Sequence, residues 1–481
     1  VILFLPDRLP LHAPLRRRMA AATREKASPA RRRPTPTTAP RASPSSSRTW
    51  RRRLNRCCGG MLAVNFLLVW ALPIAGMGQL FHLGLKKLLI PPYLALDRSA
   101  TFRRLCEKYI YSSPKFADFG ATALLTLLSV SGFFALILRH QLTHGAIPLW
   151  LWFVYNCSWA GFGGRVMGAA YTFAHKEGHN PIIYRKWIRR LTGNVFENWV
   201  GCLFGNVPYN FTTSHMHLHH RLDGGMGDTF YQWDLDRSSA WDFLLYVPRI
   251  FSHMVGVSSL AKFWKLGRSD PLMKSQFYLL LRGCFIYWLL VPAALYAITR
   301  STFFLIVVWL QPLLCMTFFL SIVNWGFHAF IAYDENGEQV PCVNSSTILN
   351  GMDDYFGEDD HMAHHYSPQT WYTKTHEFQA RMHKDIVKHH GAVFKEVSIV
   401  ELGCLVLFNQ FERIAEKHFV DHSGKLSTQQ AADLLRSRSR VKEIEYDDYL
   451  DWLRRGGEAI QAAQGEAAEK PKARRTPMKR D

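Results

Sequence analysis

Three observations predict an all-α integral membrane protein of two transmembrane helical hairpins, four spans in all, carrying a histidine-rich cap on the cytoplasmic side. Apolar blocks with few charges, each about the 20 residues that a spanning helix needs, recur along the 481-residue chain. The chain is 48% hydrophobic and 14% aromatic, yet its mean hydropathy is near zero, so apolar and polar stretches are segregated. Ten of the 21 histidines stand in four short clusters, each bordering an apolar block.

Residues 1–60 hold fifteen Lys/Arg against only Asp7 and Glu25, which accounts for thirteen of the twenty net positive charges. Their Arg, Ser, Pro, Thr and Ala content reads as a transit peptide or disordered leader, with Met19 and Met61 as alternative starts. With the charge concentrated there and no interleaved aromatic platform, nucleic acid is not an expected partner. Nine cysteines form no CxxC pair, which argues against a zinc ribbon or redox motif. Cys157, Cys202, Cys284 and Cys315 read as small packing residues. Cys57 and Cys58 stand where juxtamembrane acylation occurs, or are plain thiols.

The apolar blocks lie at about 61–80, 118–138, 147–172, 275–298 and 301–323. Blocks two and three form one hairpin around His140 to Ala146, and blocks four and five form another around Arg300. Each hairpin returns the chain to the side it left, which places all four histidine clusters on one face. Lys86, Lys87, Arg98, Arg103, Arg104, Lys108 and Lys115 mark that face as cytoplasmic or stromal. A fully spanning block one would put the basic leader on the opposite face, and Pro73, Gly76 and Gly78 weaken it. It is therefore read as a partial N-terminal insertion or as part of the leader. The resulting organisation is a leader at 1–60, a membrane-associated segment at 61–114, a catalytic domain at 115–395, and an interfacial helix with polar tail at 396–481. In that last part the apolar run Leu402 to Phe411 is expected to lie on the surface. Ser427 and Gln430 have capping-box spacing.

Imidazole is the commonest ligand for borderline metals, and one zinc site needs only three or four protein ligands. So many histidines point to two metal ions. His175 and His179 are i and i+4 and share a helix face. His361, His364 and His365 are i, i+3 and i+4, again one face, and Asn324 and His328 repeat the i, i+4 interval after the last block. In an α-helix His215 would share a face with His219, while His217 and His220 would share another. A helix lying between two metals uses both faces; otherwise His217 stands outside the ligand set. The rival HExxH protease motif fails because Glu177 sits one place late, leaving it to orient an imidazole or stand solvated. His376, His383 and His390 form a heptad-spaced stripe, with His389 beside it, read as a solvated face. Trp371 and Tyr372 are read as membrane-interface anchors.

These clusters resemble the three histidine boxes of the membrane fatty-acid desaturase and hydroxylase superfamily. His175/His179 match HxxxH, His215/His219/His220 match HxxxHH, and His361/His364/His365 match HxxHH. Asn324/His328 look like that superfamily's NxxxH element. Gly357-Glu358, Pro368 and Asp228 fit the flanks, and the resemblance covers about residues 115–395. It implies two Fe ions held by His175, His179, His215, His219, His220, His328, His361, His364 and His365, with Asn324 acting through a water. It further implies O2 as co-substrate and removal of hydrogen from an unactivated carbon of an acyl or sphingoid chain, chemistry that needs a redox metal. The sequence holds no His-Pro-Gly-Gly haem motif, so a separate cytochrome b5 or ferredoxin is the implied electron donor. The endoplasmic reticulum or a plastid membrane is the implied location.

The first box is not the HxxxxH of acyl-CoA Δ9 desaturases, and the QxxHH of front-end desaturases is missing. His179-Asn180 resembles the sphingoid-base desaturases at one residue. Desaturase is the first expectation; hydroxylase or carotenoid-modifying oxygenase is the alternative. A zinc-dependent lipid hydrolase would need about three essential histidines. A metal transporter would need ionisable residues inside its spans, which the blocks nearly lack.

Overall fold

The computed structural model describes residues 92, 95–160, 165–225, 227–334, 339–351 and 356–441. The leader, Cys57 and Cys58, block one and the end of the tail lie outside these residues. Helix α1 (Ala100–Tyr109) precedes α2 (Gly120–His144), which opens on a 3-10 turn from Pro114. Gly145, in the left-handed region, ends α2 within the expected hairpin turn, and α3 (Leu149–Ala160) and α4 (Arg165–His179) follow. The third apolar block is described as these two helices, and residues 161–164 between them lie outside the described residues.

Helices α5 (Ala240–Met254) and α6 (Val257–Leu266) meet at a 68° bend and together qualify as one broken span or re-entrant loop. The sequence reading did not include this pair. Its bend needs Gly256, whose φ is +82° and whose added Cβ would lie 2.5 Å from Cys284 Sγ. Helix α7 (Pro271–Phe285) runs on through a π-turn to Thr299, and Arg300 makes the turn in the left-handed region. The next apolar stretch, Thr302–Phe327, ends in α8 (Gln311–Phe327). Among the described residues three helical stretches are long and apolar enough to cross a membrane, or four if the bent pair counts.

Beyond the spans the chain builds a cap. It contains α9 (His361–Tyr366) and a small parallel sheet of β1 (Thr347–Leu349) and β2 (Val393–Lys395), in which Ile348 pairs with Phe394. Helices α10 (Ile399–Leu407) and α11 (Thr428–Ser439) complete it, and α11 carries the capping box at Ser427 and Gln430. The apolar run at 402–411 does not simply lie on the surface. Gly326 of α8 and Gly403 of α10 let the two helices touch backbone to backbone, since a Cβ on either would come within 2.8 Å of a carbonyl oxygen. Leu402, Leu405 and Val406 are buried there, while Val400 and Phe408 face outward.

Trp371 is likewise no interface anchor. It is 4% exposed, packs against Phe116 and Phe119, and donates its indole N–H to Asp118 at 3.2 Å. Tyr372 is half-buried beside it. Cys202, Cys284 and Cys315 are buried and unpaired, as packing residues should be.

One buried cation ties the tail to the cap. Arg237 is fully buried and donates to the carbonyls of Leu235 (2.7 Å), Ala329 (3.1 Å), Arg438 (2.8 Å) and Arg440 (2.9 Å). Its backbone carbonyl accepts from the Trp325 indole at 2.9 Å. The end of α11 is thereby fixed beside the residue following His328. Arg237→Met should lower stability by about 3 kcal/mol or more, since each buried carbonyl left without a donor costs roughly 1–3 kcal/mol. The detergent melting midpoint should fall, and limited proteolysis should cut first after residue 398.

Candidate metal centre

The first histidine box occupies the last turn of α4, where His175 and His179 face the cap. Gly178 between them sets the approach of the next element: a Cβ there would lie 2.5 Å from Phe211 Cβ. Glu177 neither orients an imidazole nor meets solvent. It is buried and accepts from the Tyr184 hydroxyl (2.5 Å) and the N–H groups of Phe196 (3.0 Å) and Glu197 (2.8 Å). Burial pushes its carboxyl up to about 8 despite those donors.

The second box is where α-helical reasoning fails. Phe211–His219 is a π-helix, and the N–H of His220 bonds to the carbonyl of His215, five residues back. That register aligns His215 with His220, not with His219. His215 and His220 have their Nε2 atoms 3.0 Å apart, while His219 turns to the other side. The third box also divides. His364 joins the first box, and His361 and His365 join His219 and His328.

Two buried groups result, each able to hold one metal ion: His175, His179, His215, His220 and His364, and beside them His219, His328, His361 and His365. In the first, four rings form a square, with neighbouring centroids 4.5–4.7 Å apart. The diagonals are 6.4 and 6.5 Å, with the opposed rings nearly parallel. His179 stands 4.6–5.2 Å from all four and forms the apex of a square pyramid. Nitrogens about 2.1 Å from one ion stand about 3.0 Å apart at right angles and about 3.4 Å apart in a tetrahedron. The Nε2 contacts of His175 with His215, His179 and His364 are 2.8, 2.9 and 3.1 Å. The set therefore fits a six-coordinate ion better than tetrahedral zinc, and the position opposite His179 has no imidazole. In the second group His361 Nε2 lies 3.1 Å from both His328 Nε2 and His365 Nε2. The wall between the groups is thin, with the His220 and His365 rings 4.5 Å apart.

Burial, and then the crowding of neighbouring imidazoles, holds His179, His215, His220, His361 and His364 well below the usual histidine range. The same causes push His328 down to about 3. These rings are neutral at physiological pH, the form that binds a metal. Their Nε2 atoms converge to within 2.8–3.1 Å of one another, a spacing suited to sharing one cation.

Partners behind the rings fix which nitrogen faces inward. His175 Nδ1 bonds to Glu358 at 2.9 Å, His219 Nδ1 to Asp228 at 2.7 Å, and His328 Nδ1 to the Asn344 carbonyl at 2.9 Å. His365 Nδ1 lies 2.8 Å from Asp223. Burial alone would raise the Glu358 pKa, yet His175 and Lys176 bring it down to about 2. Against the same burial term, His219 holds Asp228 well below the carboxylate range, and His365 lowers Asp223.

The remaining expected residues sort cleanly. His217 is half-buried and belongs to neither group. Asn324 is buried and its amide donates to the Tyr246 hydroxyl at 2.5 Å. His376 and His383 are exposed and His389 is half-buried; His390 pairs with Asp421 at 3.0 Å, so the stripe is no ligand set. Asp223, Lys176 and Gly178 escaped the sequence reading. Only the nearness of Asp223 to the second box could have signalled it.

The family model described as fatty acid desaturase matches residues 150–398, just over half of the chain and all four histidine clusters. The chain belongs to that family. No curated protein and no solved structure matches it.

Asp228→Asn should weaken metal binding by His219, His328, His361 and His365 by about 10–100-fold, the usual effect of losing a carboxylate behind a ligand imidazole. The five-imidazole group should be unaffected, and His217→Ala should leave both intact. Metal content per chain across a chelator series measures all three.

Proposed function

We propose that this desaturase-family oxidoreductase is an O2-dependent lipid desaturase that introduces a double bond into an acyl or sphingoid chain at a histidine-held pair of irons. The observation that carries this reading is the pair of adjacent, buried, all-imidazole groups, five and four strong, within a family-matched segment. A zinc hydrolase would use about three ligands in a tetrahedron. A transporter would place its ionisable groups inside the spans.

In this reading His175, His179, His215, His220 and His364 hold one iron, and His219, His328, His361 and His365 hold the other. When bound, the irons supply the one-electron chemistry that side-chain acids and bases lack for an unactivated C–H bond. The protein's own part is positional. Glu358, Asp228, Asp223 and the Asn344 carbonyl hold ligand rings with Nε2 inward, and the buried cap excludes bulk water. Asn324, at the end of α8 four residues before His328, is assigned to a water at the second group. The membrane-facing helices deliver a lipid chain to that cap from within the bilayer. Electrons arrive from a separate cytochrome b5 or ferredoxin, in the endoplasmic reticulum or a plastid membrane.

Expression of the whole chain in a host with a defined lipid profile tests the reading, with metal content measured on the purified protein. The expected result is two irons per chain and a new double bond, abolished by His179→Ala, His220→Ala or His361→Ala. A hydroxylated product would assign the site to the hydroxylase branch. One zinc with no iron, or activity indifferent to His361→Ala, would overturn it.

A further inference from the structure

We infer that the two metal sites are electrically unequal, and that this chain's own buried charges make the five-imidazole site the easier of the two to reduce. The inference rests on the reading of the centre as a pair of irons.

The charges behind the ligands differ between the two sites. At the five-imidazole site the only ligand ring with a carboxylate partner, among the described residues, is His175. Its partner Glu358 is itself neutralised: one oxygen takes His175 Nδ1 at 2.9 Å, and the other sits 2.8 Å from Lys176 Nζ. Lys176 is only 6% exposed and lies under the Tyr372 ring, 5.8 Å from its centroid, so it cannot leave the pair for water. Glu177 and Glu197 are also buried near this site but turn away from the imidazoles. Glu177 meets the backbone of Phe196 and Glu197, and Glu197 meets Thr212 and Asn194.

The four-imidazole site carries two carboxylates. Asp228 accepts from His219 at 2.7 Å and from the N–H groups of Gly224 and Phe230. Asp223 lies 2.8 Å from His365 Nδ1 and accepts only weakly from the Ser345 hydroxyl, at 3.3 Å. Lys262, bonded to the Gly227 carbonyl, offsets part of the Asp228 charge. The one carboxylate behind the first site is thus paired with a lysine, whereas Asp223 behind the second has no cation paired with it among the described residues, and the nearby Arg237 is turned to backbone carbonyls.

The fields reach the ligands themselves. Lys176 stands between the ligands His175 and His179 on α4, whereas Asp223 lies 2.8 Å from the His365 ring. An iron ion is a positive charge at the same place. In a buried, low-dielectric site such differences are weakly screened. A carboxylate on Nδ1 also makes the imidazole a stronger donor, which favours the more highly charged ion. One electron given to the diferric protein therefore goes to the five-imidazole iron, converting ferric to ferrous there with no atom or proton transferred. The ferric ion remains beside Asp223 and Asp228.

The test uses the whole chain in detergent, loaded with iron-57 and shown by mass spectrometry to hold two irons. Dithionite, a two-electron donor, is added at half an equivalent per chain, and the frozen sample is read by Mössbauer and EPR spectroscopy. The expected mixed-valence fraction exceeds the statistical value for two equal and independent sites, and its dependence on Lys176 separates unequal sites from simple repulsion between the irons. Asp223→Asn should shift the spectral parameters of the ferric component and leave the ferrous component in place. Lys176→Met, which leaves Glu358 uncompensated, should bring the mixed-valence fraction back to the statistical value, and Lys176→Arg should restore the excess. A statistical fraction in the unmodified protein overturns the inference, as does a Lys176→Met protein that keeps both irons and the full excess. Loss of iron or replacement by zinc overturns the iron-pair reading, a different result from two irons reduced without preference.

Discussion

The structure depends on holding nine imidazoles with their Nε2 atoms turned toward two points. Each ring must be stripped of water, and each must be prevented from offering a proton to its neighbours. Burial disfavours the charged form at His179, His215, His220, His328, His361 and His364, and a carboxylate or carbonyl on Nδ1 turns Nε2 inward at His175, His219 and His328. The Nδ1 atoms of His179, His215, His220 and His361 are buried with no such partner. Those rings are held by packing and by one another, so a metal ion is what makes their close approach favourable. A metal ion bound there would couple its binding to folding of the cap, as at other sites whose donors repel when empty.

Much of this was legible in the sequence, because the signals were periodic and local. The long apolar stretches and the positions of their turns at Gly145 and Arg300 follow from hydropathy and from residues that end helices. The nine histidines follow from box spacing, and the structure brings all nine together. What the sequence concealed was register. Nothing in Phe211 to His219 announces a π-helix, and an α-helical wheel pairs His215 with the wrong partner. Gly178 looks like an ordinary helix glycine until Phe211 is seen packed against it. Trp371 followed by Tyr372 reads as an interfacial pair, because the Asp118 carboxylate that draws the indole inside is over 250 residues away. Long-range polar partners of this kind carry no periodic trace.

The C-terminal part shows the same point at a larger scale. The family match ends at residue 398, yet the folded cap continues through α10 and α11. Arg237 joins the two by bonding at once to Ala329, beside the ligand His328, and to Arg438 and Arg440 at the end of α11. Arg438 in turn donates to the carbonyls of His389 and His390, next to β2. The tail is therefore part of the shell that fixes one side of the second metal site. An arginine that bonds only to carbonyls stays charged without a counter-ion because six or so lone pairs share its charge.

The division of labour between membrane and cap follows from where the ligands sit on their helices. His175 and His179 end α4, and His328 immediately follows α8, so apolar helices deliver imidazoles only where the chain leaves the hydrocarbon region. Polar donors within lipid need internal partners, and placing them at helix ends lets the cap supply those partners. Asp223 and Asp228 lie in the loop between the second box and α5, and Glu358 just precedes α9, so none of the three is on a long helix. The spans thus fix the position of the metal centre relative to the bilayer, while the cap fixes its charge. Because those two properties reside in different parts of the chain, the cap's carboxylates and Lys176 can change without disturbing how the apolar helices meet the membrane. Reactivity can in this way be adjusted independently of access by a lipid chain.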